Sequence, residues 1–269
     1  MSKLTDLQVK TRKQKSPRPE RVWRWGWLPS IFFKPRSTVQ KVVAAEKPIW
    51  QTPLLILSVL VLVSTMIAAP IRRQNIQTGA NLPQDFNYWS QDQQSQYLQA
   101  QSNLISPTFM YLFPALSGLA GYWATWFILA SLLHLSVTLA GSRANRLKAS
   151  NLVAWAMVPF AIRIVLQIIT MLTSHQLVSA SGLAYLIPEE ASGGLIYLRG
   201  VLSNLDAYWV FMAVLIFLGV RPFSGLSRSK AVLPAAITLL IMLLLQGVPS
   251  LVSTLFSGLS GGSTPYFFF

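Results

Sequence analysis

The stretch IWQTPLLILSVLVLVSTMIAAPI, residues 49–71, holds no charged side chain and is long enough to cross a hydrocarbon core, which takes about 20 helical residues at about 1.5 Å each. Four further stretches, 109–139, 151–172, 202–220 and 231–251, have the same character, interrupted only by Arg163 in the third and Asp206 in the fourth. The second is overlong, and Pro114 with Gly118 and Gly121 would kink or tilt it. The fourth is the shortest. The pattern predicts an all-α, polytopic membrane protein with five transmembrane helices. Composition points the same way: of 269 residues, 52% are apolar and 11% charged, whereas a soluble domain carries about 25% charged residues. Water cannot be the main solvent of such a chain.

Charge then orients the spans. The net charge is +14, and 12 of the 22 Lys and Arg residues precede Pro48. Arg143, Arg146 and Lys148 lie between the second and third spans, and Arg221, Arg228 and Lys230 between the fourth and fifth. One side therefore collects 18 cations, while the other holds Arg72, Arg73 and Arg199 beside Asp85, Asp92, Glu189 and Glu190. Lys and Arg accumulate on the cytoplasmic side of short loops. The N-terminus is expected in the cytoplasm and the C-terminus outside. The same asymmetry suggests an anionic lipid surface as partner ahead of nucleic acid, for which no folded aqueous domain offers a groove.

Three units follow. Residues 1–32 read as a basic cytoplasmic tail, polar and proline-containing enough to be disordered over 1–20 and without the apolar stretch of a cleavable signal peptide, so the first span is expected to act as an uncleaved anchor. Residues 33–251 read as the five-helix domain, and 252–269 as a Gly/Ser tether ending in Tyr266, Phe267, Phe268 and Phe269. Trp23, Arg24, Trp25, Trp27, Phe32, Phe33 and Lys34 interleave aromatic rings with cations, as lipid-interface anchors do. After Pro35, Ser37 or Thr38 is placed to cap a short helix with Val39, Val42 and Val43 on one side, ended by Pro48. The outer loop at 72–108 is glutamine-rich, and 91–101 should be a solvated or interfacial helix capping the bundle. A second outer loop, with Ser-Gly runs around Pro188-Glu189-Glu190, should be flexible. The terminal aromatics make either an interfacial anchor or a partner contact.

Catalytic signatures are missing from the sequence. There is no phosphate-binding Gly-x-x-x-x-Gly-Lys-Ser/Thr loop, no dinucleotide glycine fingerprint and no His-Glu-x-x-His pair, and Gly225-Leu226-Ser227-Arg228-Ser229 is not a nucleophile elbow. Without cysteine there is no disulfide, thiolate zinc site or thiol nucleophile. No cofactor or metal is expected, and the protein does not read as an enzyme. His134, about two turns from the cytoplasmic end of its span, is a structural histidine or a relay without a span-centred acid to serve. Arg163 is the informative charge: it lies about 18 Å above the start of its span by helical rise, where an arginine costs roughly 2.5–3.5 kcal/mol and must face the bundle to find an acceptor. Asp206 is the candidate partner, reached from the outer side. Their pairing is either a structural ion pair or part of a substrate or ion site.

The runs Leu202-Ser203-Asn204-Leu205-Asp206-Ala207-Tyr208-Trp209 and Gly225-Leu226-Ser227-Arg228-Ser229-Lys230-Ala231, with Gly219 between them, resemble the last two spans of bacterial members of the Yip family, five-pass proteins named for Rab-interacting relatives. Pro35-Arg36-Ser37-Thr38, Ser106-Pro107 and Val153-Ala154-Trp155-Ala156-Met157-Val158-Pro159 are similar to that family's pattern too, so the likeness covers about residues 33–250. It implies a five-helix bundle without an enzymatic centre that acts through partners. Eukaryotic relatives associate with prenylated Rab GTPases, but no N-terminal cytosolic domain of their kind is evident here. The bacterial pattern implies a prokaryotic plasma membrane, where some relatives are accessory subunits of macrolide-exporter-type ABC systems beside a permease-ATPase and a membrane-fusion adaptor. The functions that follow as expectations are a non-enzymatic subunit of such a complex or, as alternatives, an autonomous small-solute or ion transporter lined by Arg163, Asp206 and His134, or a membrane-organising protein of the Yip kind.

Overall fold

A computed structural model describes residues 23–78, 82–83, 85–178, 182–188 and 192–252. The basic segment at 1–22 and the aromatic C-terminus at 266–269 lie outside the described residues, as do 179–181 and 189–191 of the second outer loop. Ten α-helices are described: α1 (Trp27–Phe33), α2 (Pro35–Ala44), α3 (Gln51–Gln77), α4 (Gln91–Leu104), α5 (Phe113–Leu139), α6 (Arg146–Ala156), α7 (Pro159–Ser174), α8 (Gly194–Ser203), α9 (Ala207–Ser224) and α10 (Arg228–Gln246). Among the described residues, five helical stretches are long and apolar enough to cross a membrane: Gln51–Gln77, Thr108–Leu139, Arg146–Ser174, Ala207–Ser224 and Arg228–Val252.

Their boundaries correct the hydropathy reading in two places. The third span starts at Arg146, five residues early, and is two helices rather than one. Pro159 has no N–H to offer the carbonyl of Trp155, which accepts from the Val158 amide instead at 3.3 Å, and the chain restarts as α7. The fourth starts at Ala207, because Leu202 and Ser203 belong to α8 and Asp206 caps α9 through its carboxylate, which accepts from the Trp209 amide at 2.8 Å. In the second span the irregularity falls before Pro114, as a π-helical turn at Thr108–Leu112, and α5 then runs unbroken. Gly118 serves close packing there: a Cβ on it would lie 2.8 Å from Val61 Cγ1 of α3.

The third span is the hub. It packs against α3, α5 and α9, while α10 closes the bundle between α5 and α9. Residues 151–157 are all 0–1% exposed, which no other helix approaches. A Cβ on Gly219 of α9 would meet Leu152 and Val39, so only glycine lets α9, α6 and α2 converge. At the end where the chain enters α3, the basic end, the Ser142 hydroxyl donates to the Ser224 carbonyl at 2.7 Å and ties the two short connections together.

At the same end α1 and α2 form a belt. The Arg24 amide donates to Thr52 Oγ1 at the start of α3, Trp27 lies 5.7 Å from Trp155 of α6, Phe32 lies 5.6 Å from Phe211 of α9, and α2 packs on α6 and α9. Ile31, Val39, Val42 and Val43 join the main core, which thus extends into the segment before residue 33. Neither Ser37 nor Thr38 caps α2: Pro35 begins the helix, Ser37 donates to the Lys34 carbonyl, and Thr38 donates to that of Ser30.

The other end is looser. A capping box between Ser90 and Gln93 starts α4, and Phe86, Trp89 and Tyr97 make a small ring cluster beneath it, yet none of its residues is buried. The helix α8 packs on α10, with the Tyr197 hydroxyl donating to the Leu244 carbonyl at 2.7 Å.

Candidate functional site

Four residues into α7 the apolar sequence is broken by Arg163, and the break between α8 and α9 delivers Asp206 to the same level. Arg163 Nη1 lies 3.2 Å from Asp206 Oδ2, with the two side chains 19% and 15% exposed. Local structure explains why the carboxylate sits there. As N-cap of α9, Asp206 has extended backbone, and its Oδ1 is fixed by the Trp209 amide, leaving Oδ2 for the guanidinium. One carboxylate thus both starts a helix and neutralises a charge of the next-door span. Tyr122 of α5 lies in electrostatic range of both groups, with its ring 6.3 Å from that of Phe160. The arrangement is a charge-neutral junction joining α5, α7 and α9. It can hold the helices in register.

The remaining candidates are elsewhere. His134 is about 18 Å along α5 from Tyr122 by helical rise, so it shares no site with the ion pair. Its Nδ1 is buried without a hydrogen-bond partner among the described residues. Of the aromatic–cationic segment, Trp27 and Phe32 face the bundle, Trp23 and Trp25 stack on each other at 6.1 Å, and Arg24 lies 5.2 Å over Trp27. Phe33 and Lys34 are exposed. No group of three or more His, Cys, Asp or Glu side chains that would hold a metal occurs among the described residues.

Sequence reasoning missed Asn151 and Trp155. Asn151 Oδ1 accepts from the Ile49 amide at 3.0 Å, its Nδ2 donates to the Lys47 carbonyl at 3.0 Å, and Trp155 Nε1 donates to the Ile49 carbonyl at 3.1 Å. The polar backbone around Pro48, which has no helix to satisfy it, is paired by two side chains one turn apart on α6. A lone asparagine opening an apolar run was the available signal, since a buried amide must find partners.

The family model of the Yip1 domain matches residues 30–248. No curated protein and no solved structure matches. The matched region includes the belt from Ser30 onward, the ion-pair junction and all five spans up to Val248.

Proposed function

Because this chain is a multi-pass membrane protein belonging to the Yip1 domain family, we propose that it is a non-enzymatic subunit that assembles with or regulates a membrane transport complex, a macrolide-exporter-type ABC efflux system in a prokaryotic plasma membrane. The observation that carries this reading is α4. Ordering a helix costs conformational entropy, and this one is capped, braced by its own rings and set against the π-helical turn at Thr108–Leu112 with none of its residues buried. Its surface is uncharged apart from Asp92, which suits contact with another protein better than free solvation. The ion pair contributes by being neutral and structural, which leaves the bundle a scaffold rather than a path for solute.

The reading places α4 outside, on the side of a membrane-fusion adaptor, and the basic end in the cytoplasm. A chain without native cysteine makes this easy to check. Arg143→Cys and Lys230→Cys should be shielded from an impermeant maleimide in intact cells, while Ser95→Cys and Ser192→Cys react; the opposite pattern inverts the topology. For function, gentle purification from native membranes should recover the chain with an ABC permease-ATPase and its adaptor, and deleting 85–105 should lower that recovery without changing ATP hydrolysis by the isolated transporter. If native pull-downs return no transporter subunits while the purified chain alone moves a solute across liposomes, an autonomous transporter replaces this reading; if neither occurs, a membrane-organising role does.

A further inference from the structure

The belt has two sides with different employment. Its aliphatic side is spent on the bundle: Ile31, Val39, Val42 and Val43 are 0–3% exposed. At 100° per residue, Arg36, Ser37, Gln40, Lys41 and Ala44 fall on the opposite face of α2, and all are exposed. Phe33 is 84% exposed, directly beside Lys34. An amphipathic helix normally lays its aliphatic face into the acyl region; here that face is unavailable, and what remains outward is one ring among cations.

Depth makes the arrangement meaningful. Phe32 packs on Phe211, which is 13 residues from the last residue of α9, about 20 Å of helical rise. The corner between α1 and α2 therefore reaches the level of the hydrocarbon-spanning part of α9, and the exposed ring of Phe33 next to it meets acyl chains rather than water. From that corner α2 leads back to Gly219, where Val39 packs five residues from the last residue of α9, about 8 Å of helical rise; Arg36 and Lys41, before and after Val39, have stems long enough to bring their charges to the phosphate level, and Lys34 heads the same outward row. They have no carboxylate partner among the described residues. At the basic end the described cations are Arg24, Lys34, Arg36, Lys41, Lys47 and the six residues of the two short connections, against Glu46 as the single described acid.

We propose that the outward face of the belt is a binding site for an anionic phospholipid, with its headgroup phosphate held by Arg36 and Lys41, Lys34 adding its charge from the corner, and an acyl chain lying along Phe33. Because α2 is wedged against α6 and α9 at Gly219, a lipid bound there clamps the first helices onto the hub. The inference is independent of any transporter partner and is tested with the purified full chain alone.

In a neutral detergent, phosphatidylglycerol should be retained on the protein in native mass spectrometry in preference to phosphatidylcholine, and should raise the thermal midpoint where phosphatidylcholine does not. Removing three surface cations with Lys34→Gln, Arg36→Gln and Lys41→Gln together should cut phosphatidylglycerol retention about tenfold or more. The matched triple Arg221→Gln, Arg228→Gln and Lys230→Gln should cut it by less than about twofold if the site is local rather than a diffuse field. All six side chains are exposed, so both triples should keep the wild-type midpoint in phosphatidylcholine; should the first fail to fold, the salt sensitivity of phosphatidylglycerol retention by the unmodified chain still reads the interaction. Equal losses from the two triples, no preference for phosphatidylglycerol, salt-independent retention, or a midpoint raised by polyglutamate but not by phosphatidylglycerol would each overturn the proposal.

Discussion

The second and third spans make an instructive pair. Both are long, apolar and irregular at one point, yet 56% of the most apolar window of Arg146–Ser174 is buried in the protein against 17% of that of Thr108–Leu139. In water such a difference would show as polarity on the exposed helix. In a bilayer the outward face of α5, with Leu116, Phe127 and Leu135 more than half exposed, is as apolar as the hub, because lipid is as good a solvent for leucine as the protein interior is. What marks the hub is the burial of its paired polar side chains: Asn151 and Trp155 bond the chain around Pro48 at 0% exposure and Arg163 holds Asp206, whereas Trp123 and Trp126 of α5 pair with Ser58 and the Ser150 carbonyl from positions that stay partly exposed.

Mutations at these partners should separate the two spans, the largest loss coming from the ion pair. Asp206→Leu strands Arg163, at about 3–5 kcal/mol for an orphaned buried charge, and removes the cap of α9 as well. Unfolding of the detergent-solubilised protein should show it, and Arg163→Leu added to Asp206→Leu should recover part of the loss. Strictly additive losses would mean that the two charges do not interact. Trp155→Ala comes next, at about 3–5 kcal/mol for the cavity, and it leaves the Ile49 carbonyl without its indole donor. Gly219→Val should cost about 1–3 kcal/mol, since Leu152 and Val39 must move aside. On the second span, Leu116→Ala and Leu135→Ala should each change stability by less than about 0.5 kcal/mol, as surface positions do. A loss on the scale of Trp155→Ala there would show that α5 is covered by something other than lipid.

The same contrast explains which features were legible. A helix over 91–101 was readable from a run free of glycine and proline, and it extends to Leu104; the buried set Val39, Val42 and Val43 was readable from helical spacing. Arg163 and Asp206 stood out because a charge in an apolar run is costly wherever it lies, so the sequence alone nominated both. The caps were harder: Pro35 pre-empts Ser37 and Thr38 by fixing its own φ, and Asp206 cuts the fourth stretch short because its carboxylate prefers the amide of Trp209 to a place inside a helix. The aromatic–cationic segment from Trp23 to Lys34 was read as a lipid-interface anchor. Nothing in Trp27 or Phe32 says that each would find a ring on a span more than a hundred residues away.

Membership of the membrane was determined by the sequence itself, since hydrophobic length is a local property that each segment carries with it. So were the number of spans and the clustering of cations in alternate connections. Which span became the hub, which face met lipid, and that Asn151 and Trp155 would satisfy the backbone around Pro48 were decided only in the tertiary structure. Lipid and protein interiors reward apolar side chains almost equally, so hydropathy cannot rank the spans. The order is set by close approach at Gly219 and Gly118 and by polar groups that only the assembled bundle can pair.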